Sequence, residues 1–349
     1  MLKKNVIILL VSFVLLAVLI LDACKKTDTS NPYSPTYLQL QVPAGWPQPV
    51  NIYANNPLTE EGFQLGRKLF YDGQLSKDGN FPCASCHQQF AAFATYDHDF
   101  SHGYNNGFTM RNTPATFNLA WAPLLDWDGS TSQIESEPLF HITALNEMAE
   151  NIDNVLNKLR GDTAYPRLFK AAFGTTDITS QRMLKALAQF TGSIISANSK
   201  YDKYKRGEAT FNSSELSGYN LFKAKCESCH KEPLLTDNSF RNNGMATNPF
   251  LNDIGRMRIT NNRNDSLKFK VPSLRNIVQS FPYMHDGRFY TLGQVIDHYR
   301  TGIITTQPTL DPLLVNRIPI TNAEKNDLLY FLYTLTDTTF INDPRFRPN

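Results

Sequence analysis

Two five-residue runs hold the chemistry most directly readable in this chain: Cys83-Ala84-Ser85-Cys86-His87 and Cys226-Glu227-Ser228-Cys229-His230. Two thiols spaced by two residues can each add to a vinyl group of a porphyrin, and the histidine that follows then falls beneath the iron as proximal ligand. On this reading Cys83 with Cys86, and Cys226 with Cys229, attach two covalently bound c-type haems, and His87 and His230 are iron ligands. A zinc site and a redox dithiol are the competing chemistries. Zinc normally draws its ligands from one compact module, yet the pairs lie 143 residues apart. A dithiol or a disulfide framework needs no histidine at the next position. What fills the second face of each iron then decides between electron transfer and catalysis, because a strong sixth ligand closes the metal to substrate.

The elements that must position these runs repeat with them. Gly66-Arg67-Lys68-Leu69-Phe70 precedes the first and Gly218-Tyr219-Asn220-Leu221-Phe222 the second, so the chain reads as a tandem of related modules. Apolar residues recur at helical spacing in each copy: Phe63, Leu69 and Phe70, then Leu216, Tyr219, Leu221 and Phe222. The first copy carries an insertion with Asp72-Gly73 and Asp78-Gly79 turn signals. Met183, Leu184, Leu187, Phe190 and Ile194 predict a helix from Thr179 to Ala197, capped by Thr179 or Ser180. Further helices are expected near Ile152–Leu159 and Asn322–Leu335, and the polar stretch Asn198–Glu208 is the expected boundary. Few segments alternate as strands, which makes the outline all-α. The 349 residues suffice for about two domains. With 34 Lys and Arg against 32 Asp and Glu, no basic excess points to nucleic acid.

The N-terminus reads as an address. Lys3 and Lys4 precede an apolar run from Val6 to Leu21, short against the roughly 20 residues of a spanning helix and suited to a signal peptide. Leu21-Asp22-Ala23-Cys24 resembles a bacterial lipobox, with Asp22 in place of the usual small residue. The expectation is a signal peptide over 1–23, lipidation at Cys24, a Pro/Ser/Thr-rich tether over 24–50, and a protein exported to the cell envelope, anchored to a membrane and facing the periplasm or cell surface.

The two Cys-x-x-Cys-His runs, Arg111-Asn112-Thr113-Pro114, Asp126-Trp127-Asp128-Gly129, Asn146-Glu147-Met148, Lys270-Val271-Pro272-Ser273-Leu274-Arg275-Asn276 and Pro282-Tyr283-Met284-His285-Asp286-Gly287 stand in a fixed order. From about Pro57 to Leu335 that order resembles the bacterial di-haem cytochrome c peroxidases and their MauG-like relatives. The resemblance implies two tandem cytochrome c-like domains, 51–205 and 206–349, with peroxide chemistry at the first haem and electron relay through the second. It places Trp127 between the haems and makes Glu147 the distal carboxylate that moves a proton between the peroxide oxygens. Glu137 stands where the family commonly has Gln, which adds a second distal carboxylate. His102 falls at the displaceable distal histidine of the peroxidases, with His98 as a weaker substitute. Tyr299 aligns with the tyrosine ligand of MauG-like proteins, Met284 and His298 being the alternatives, and His285 becomes a hydrogen-bonding residue near the haem interface. Relatives hold a calcium ion, here matched by Asn112, Ser280 and Pro282. The implied partners are hydrogen peroxide, an electron-donor cytochrome or similar carrier, and a second copy in a homodimer. Besides peroxide reduction, the resemblance leaves open a MauG-like oxidase acting on a protein or small molecule, and a non-catalytic di-haem electron carrier.

Overall fold

In each half of the chain a helix placed before the Cys-x-x-Cys-His run crosses a later helix through a glycine. A computed structural model describes residues 33–50 and 55–348. Helix α1 (Glu60–Phe70) opens on Thr59, whose hydroxyl accepts from Gly62 N–H, and it carries Glu60 and Glu61 in its first turn and Arg67 and Lys68 in its last, matching the helix dipole. Helices α2 (Glu137–Thr143), α3 (Ile152–Gly161), α4 (Tyr165–Phe173) and α5 (Ser180–Gly192) follow. After α6 (Lys200–Lys205), the second half is built on α7 (Ser213–Lys225), α8 (Leu292–Asp297) and α9 (Asn322–Tyr333). α1 packs chiefly on α5 and α7 on α9. A Cβ on Gly66 would lie 1.9 Å from Ala186 O, and one on Gly218 1.9 Å from Asp327 O, so both crossings need a bare backbone. The repeated phrase is thus a repeated helix contact.

Each half has its own core. The first joins Phe63, Leu69, Phe70, Phe93, Phe169 and Phe190; the second joins Tyr201, Tyr219, Phe222, Leu328 and Phe331. Burying each of these large side chains is worth about 1.5–3 kcal/mol relative to exposure. The expected helices appear at Ile152–Gly161, Ser180–Gly192 and Asn322–Tyr333, with Thr179 as the cap of α5. The second of these stops before the expected Ala197. Among the described residues the named strands are two dipeptides, Phe240–Arg241 and Phe269–Lys270, paired antiparallel with Phe240 opposite Lys270.

Four expectations need correction. The polar stretch 198–208 is no loose linker: Ser199 and Asp202 form a capping box for α6, Tyr201 is buried, and Asp202 takes two 2.8 Å bonds from buried Arg275. Residues 36–50, read as tether, lie along the folded body, where Val50 N–H donates to Ala120 O and Trp46 meets Trp121 edge-on at 4.9 Å. The C-terminal tail returns to the first half, placing Phe340 and Phe346 in the first core. Leu216 is exposed rather than core-facing. The stretch 198–208, residues 36–50 and the tail each carry apolar or ionic surface whose partner is remote in sequence, whereas Leu216 stays at the surface. No helix among the described residues is long and apolar enough to cross a membrane; residues 1–23 and Cys24 lie outside the described residues.

Candidate haem sites

Both pentapeptides fold back the same way. His87 N–H donates to Cys83 O at 2.9 Å and His230 N–H to Cys226 O at 2.9 Å, bringing each histidine beside the first thiol of its own run. The imidazoles are then fixed through Nδ1: His87 lies 2.9 Å from Phe93 O and 2.9 Å from Thr116 Oγ1, and His230 lies 3.3 Å from Leu235 O and 3.2 Å from Pro272 O. A carbonyl partner requires the proton on Nδ1, which leaves Nε2 as the ligating atom. Burial lowers both imidazoles, favouring the neutral, ligating form. The four cysteines of the two runs are free thiols. Burial pushes the Cys83 and Cys226 thiols up to about 12, the opposite of what a redox dithiol needs. Among the described residues the one cluster of three metal-ligating side chains is Asp126, Glu137 and His141, and no cysteine joins it, so the thiols do not form a zinc site of the usual cysteine-rich kind. The donor set fits thioether-linked haem.

The second run opens on a cavity of about 590 Å³. Cys226, Cys229 and His230 line it together with Phe222, Ile296 and Leu328, an apolar lining suited to a porphyrin. Tyr299 lines the same cavity, and burial pushes its phenol up to about 12. Met284 also lines it, its sulfur 3.5 Å from Asn243 Nδ2. His298 instead turns Nε2 to Asn243 O at 3.0 Å and is not among the lining residues. The first half contributes Thr113, Pro114, Trp121 and Trp127 to this wall.

The first run meets a charged cluster. Helix α2 places Glu137 and His141 one turn apart, with Nε2 of His141 2.9 Å from Glu137 Oε1. The reversal after α2, closed by Glu147 N–H to Ala144 O at 3.0 Å, returns Glu147 to the same imidazole, Oε2 lying 2.6 Å from Nδ1. Burial acts to lower His141, but Glu137 and Glu147 outweigh it and hold the imidazole well above its ordinary range. Burial acts to raise Glu137, and the imidazolium overrides it, holding that carboxyl below the ordinary range. Asp126, whose Oδ1 is 3.9 Å from Nε2 of His141, is raised by burial and by the Glu137 charge. Lys270 reaches in from the second half; burial brings it down to about 8 against the pull of Asp126 and Glu137. Charges on Glu137 and His141 act on Cys83 and His87 alike, so the cluster faces the first attachment site.

The remaining expected residues fall around these two sites. Trp127 lines the second cavity and donates its Nε1 proton to Asn112 O at 2.8 Å, while the preceding Asp126 belongs to the first cluster. His285 stacks on Phe269 at 3.7 Å and lines the second cavity. Asn112 donates its amide to His98 O and Asp99 O at 3.3 and 3.2 Å, and Asn112, Ser280 and Pro282 all border that cavity. His102 is exposed, its ring against His98 and Phe108, while its carbonyl lies 4.0 Å from Cys86 Sγ and the neighbouring Tyr104 N–H donates to Glu147 O at 2.7 Å, so its loop packs on the turn that carries Glu147. His141 and Lys270 were missed from sequence. The i,i+4 spacing of Glu137 and His141 was the available signal for the first; nothing local marks the second.

The family described as di-haem cytochrome c peroxidase matches residues 60–210. The methylamine utilization protein MauG of Methylorubrum extorquens strain AM1 is 33% identical over 296 residues, 80% of this chain and 79% of that protein. Cytochrome c551 peroxidase of Nitrosomonas europaea is 31% identical over 293 residues, 82% of this chain and 83% of that one. A solved MauG-like protein associated with microbial copper homeostasis superposes with a TM-score of 0.82 at 34% identity, covering 89% of this chain and 99% of that one. The di-haem peroxidase BthA of Burkholderia thailandensis shares the fold, with a TM-score of 0.71 at 21% identity. The chain belongs to the di-haem cytochrome c peroxidase and MauG family, and is an oxidoreductase of the cytochrome c peroxidase type, as its resemblance in sequence implied.

Proposed function

We propose that this protein reduces hydrogen peroxide to water at the first site, Cys83-Cys86-His87, with electrons arriving by way of the second, Cys226-Cys229-His230. The observation that carries this reading is the contrast between the two: carboxylates bear on His87, whereas Tyr299 and apolar walls surround His230. Bound haem would supply at each site an iron that exchanges single electrons and, at the first, a coordination position for peroxide. Glu147 takes a proton from one peroxide oxygen and gives it to the other. Tyr299 would offer the second haem an oxygen donor, and a phenolate favours ferric iron relative to methionine. Trp127 lies on the path between the sites, its indole held by Asn112 O. His102 would reach the first haem only through a rearrangement of loop 100–108. Calcium at Asn112, Ser280 and Pro282, lipid anchoring at Cys24 in the cell envelope, and dimerisation complete the proposal, as does a division near 205 and 206 with the C-terminal tail returning to the first half.

A second reading has its own support: Tyr299 in the cavity and the MauG relatives favour an oxidase that withdraws electrons from a protein or small molecule. Peroxide consumption by holoprotein with reduced cytochrome c separates them. Steady turnover, reduced by Tyr299→Met or unchanged by it, supports the peroxidase; absent turnover, with a long-lived two-electron-oxidised protein after one equivalent of peroxide, supports the oxidase.

A further inference from the structure

Three charged side chains converge at the first site where the family pattern names two carboxylates at most. His141 lies between them, 2.9 Å from Glu137 and 2.6 Å from Glu147, with both ring nitrogens engaged. Two carboxylates on one imidazole require protons on both nitrogens, so the group is an imidazolium donating to each side. Asp126 and Lys270 are the other charges facing it, one of each sign. Surrounded by protein, His141 still keeps 39% of its side-chain surface open, and Glu147 keeps 21%. The charges of this trio bear on Cys83, Cys86 and His87, so it acts at the first site as well as tying α2 to the turn after it.

We propose that His141 is the positioning residue of the first site, holding Glu147 in place while Glu137 holds His141. The inference rests on the reading of Glu147 given above. Glu137 orients the imidazolium as the third member of a catalytic triad orients its base; the imidazolium in turn fixes Oε2 of Glu147 and leaves Oε1 to receive the peroxide proton. That proton passes to the other oxygen as the O–O bond breaks. Two electrons from the donor and two protons from solvent complete the conversion of one peroxide to two waters.

The test uses holoprotein with both haems confirmed by mass. His141→Ala is expected to slow the bimolecular reaction with peroxide about 100-fold or more, as far as Glu147→Gln does. The double variant is expected to be no slower than Glu147→Gln alone, because His141 acts through Glu147. His141→Gln, which can donate one amide proton, is expected to recover part of the rate. The second readout is infrared: the Glu147 carboxylate stretch, assigned by isotope-labelled Glu and by its loss in Glu147→Gln, is expected to shift in His141→Ala, where its 2.6 Å partner is gone, and to return part of the way in His141→Gln. A His141→Ala rate within threefold of wild type beside a slow Glu147→Gln, multiplying effects in the double variant, or an unshifted Glu147 band overturns the proposal while leaving Glu147 its role. A Glu147→Gln rate equal to wild type removes both. If His141→Ala does not take up both haems, His141→Gln carries the same comparison, with at least a tenfold loss and no further loss on adding Glu147→Gln.

Discussion

The two Cys-x-x-Cys-His runs start alike and end in opposite surroundings. Backbone return, half-buried thiols and an Nδ1-anchored imidazole are common to both. Beyond the pentapeptide, the first half sends back α2 and its reversal with Glu137, His141 and Glu147, whereas the second sends back a largely apolar wall with Tyr299 and Met284. Ligand attachment is thus encoded locally and reactivity by what the rest of each half folds over it. A carboxylate and imidazolium suit proton movement; an apolar cavity with a phenol suits a metal that changes charge without exchanging ligands. The halves are also tied together, through Arg111, which bridges Asp128 and Asp253 at 2.7 Å each, and through Lys270, whose backbone N–H donates to Trp127 O.

The largest effect that can break this comparison is removal of one attachment site. Cys83→Ser with Cys86→Ser should leave one haem by mass and abolish reaction with peroxide. Cys226→Ser with Cys229→Ser should also leave one haem, yet retain a first reaction with peroxide while losing donor-driven turnover. Equal behaviour of the two pairs would end the asymmetric reading. Next in size is Glu147→Gln, expected to slow the peroxide reaction by about 10²–10⁴-fold with the visible spectrum of the second site unaltered, read by stopped-flow absorbance.

A third contrast concerns protons and stability. His285, stacked on Phe269 at the second cavity, is brought down by burial to about 4 from its ordinary 6.5. Because the unfolded chain takes up this proton first, the native state loses stability as pH falls from about 6.5 to 4. At about 1.4 kcal/mol per unit, the loss is on the order of 3 kcal/mol. His141 works in the other direction: with its folded value raised, its contribution is full below the ordinary imidazole range and fades as pH rises through the raised value. Denaturation at pH 4.5 and 7 should therefore show His285→Gln losing less stability on acidification than wild type. An identical acid loss in both proteins would remove His285 as its source.

The two candidate attachment runs stand out in the sequence because thioether chemistry depends on spacing along the chain, and the repeated Gly66 and Gly218 were legible because helix contacts repeat with the unit. The cluster at the first site was only half legible. Glu137 and Glu147 are visible from their place after Trp127, but the residue that joins them is seen only when α2 ends and the chain reverses. Lys270 lies more than 130 residues from its acidic partners Asp126 and Glu137 in sequence, so no local pattern could connect them. Residues 36–50 and 198–208 show a related limit: their composition reads as linker, yet Trp46, Tyr201 and Asp202 find partners far along the chain.

The smallest expected effects test whether the two halves are mechanically equivalent. Gly66→Ala puts a methyl 1.9 Å from Ala186 O and 2.9 Å from Phe190 Cβ; Gly218→Ala puts one 1.9 Å from Asp327 O and 2.9 Å from Phe331 Cβ. Backbone carbonyls cannot swing aside as a long side chain can, so α1 must shift on α5 and α7 on α9. Overpacking of this kind costs about 1–3 kcal/mol, against which alanine returns up to about 1 kcal/mol of helix propensity. Both variants should unfold earlier in denaturant, by similar amounts, since the obstructing atoms and distances match. A loss confined to one variant would show that the common phrase bears load in only one half, and the site whose helix crossing tolerates the methyl would be the one free to move against its haem.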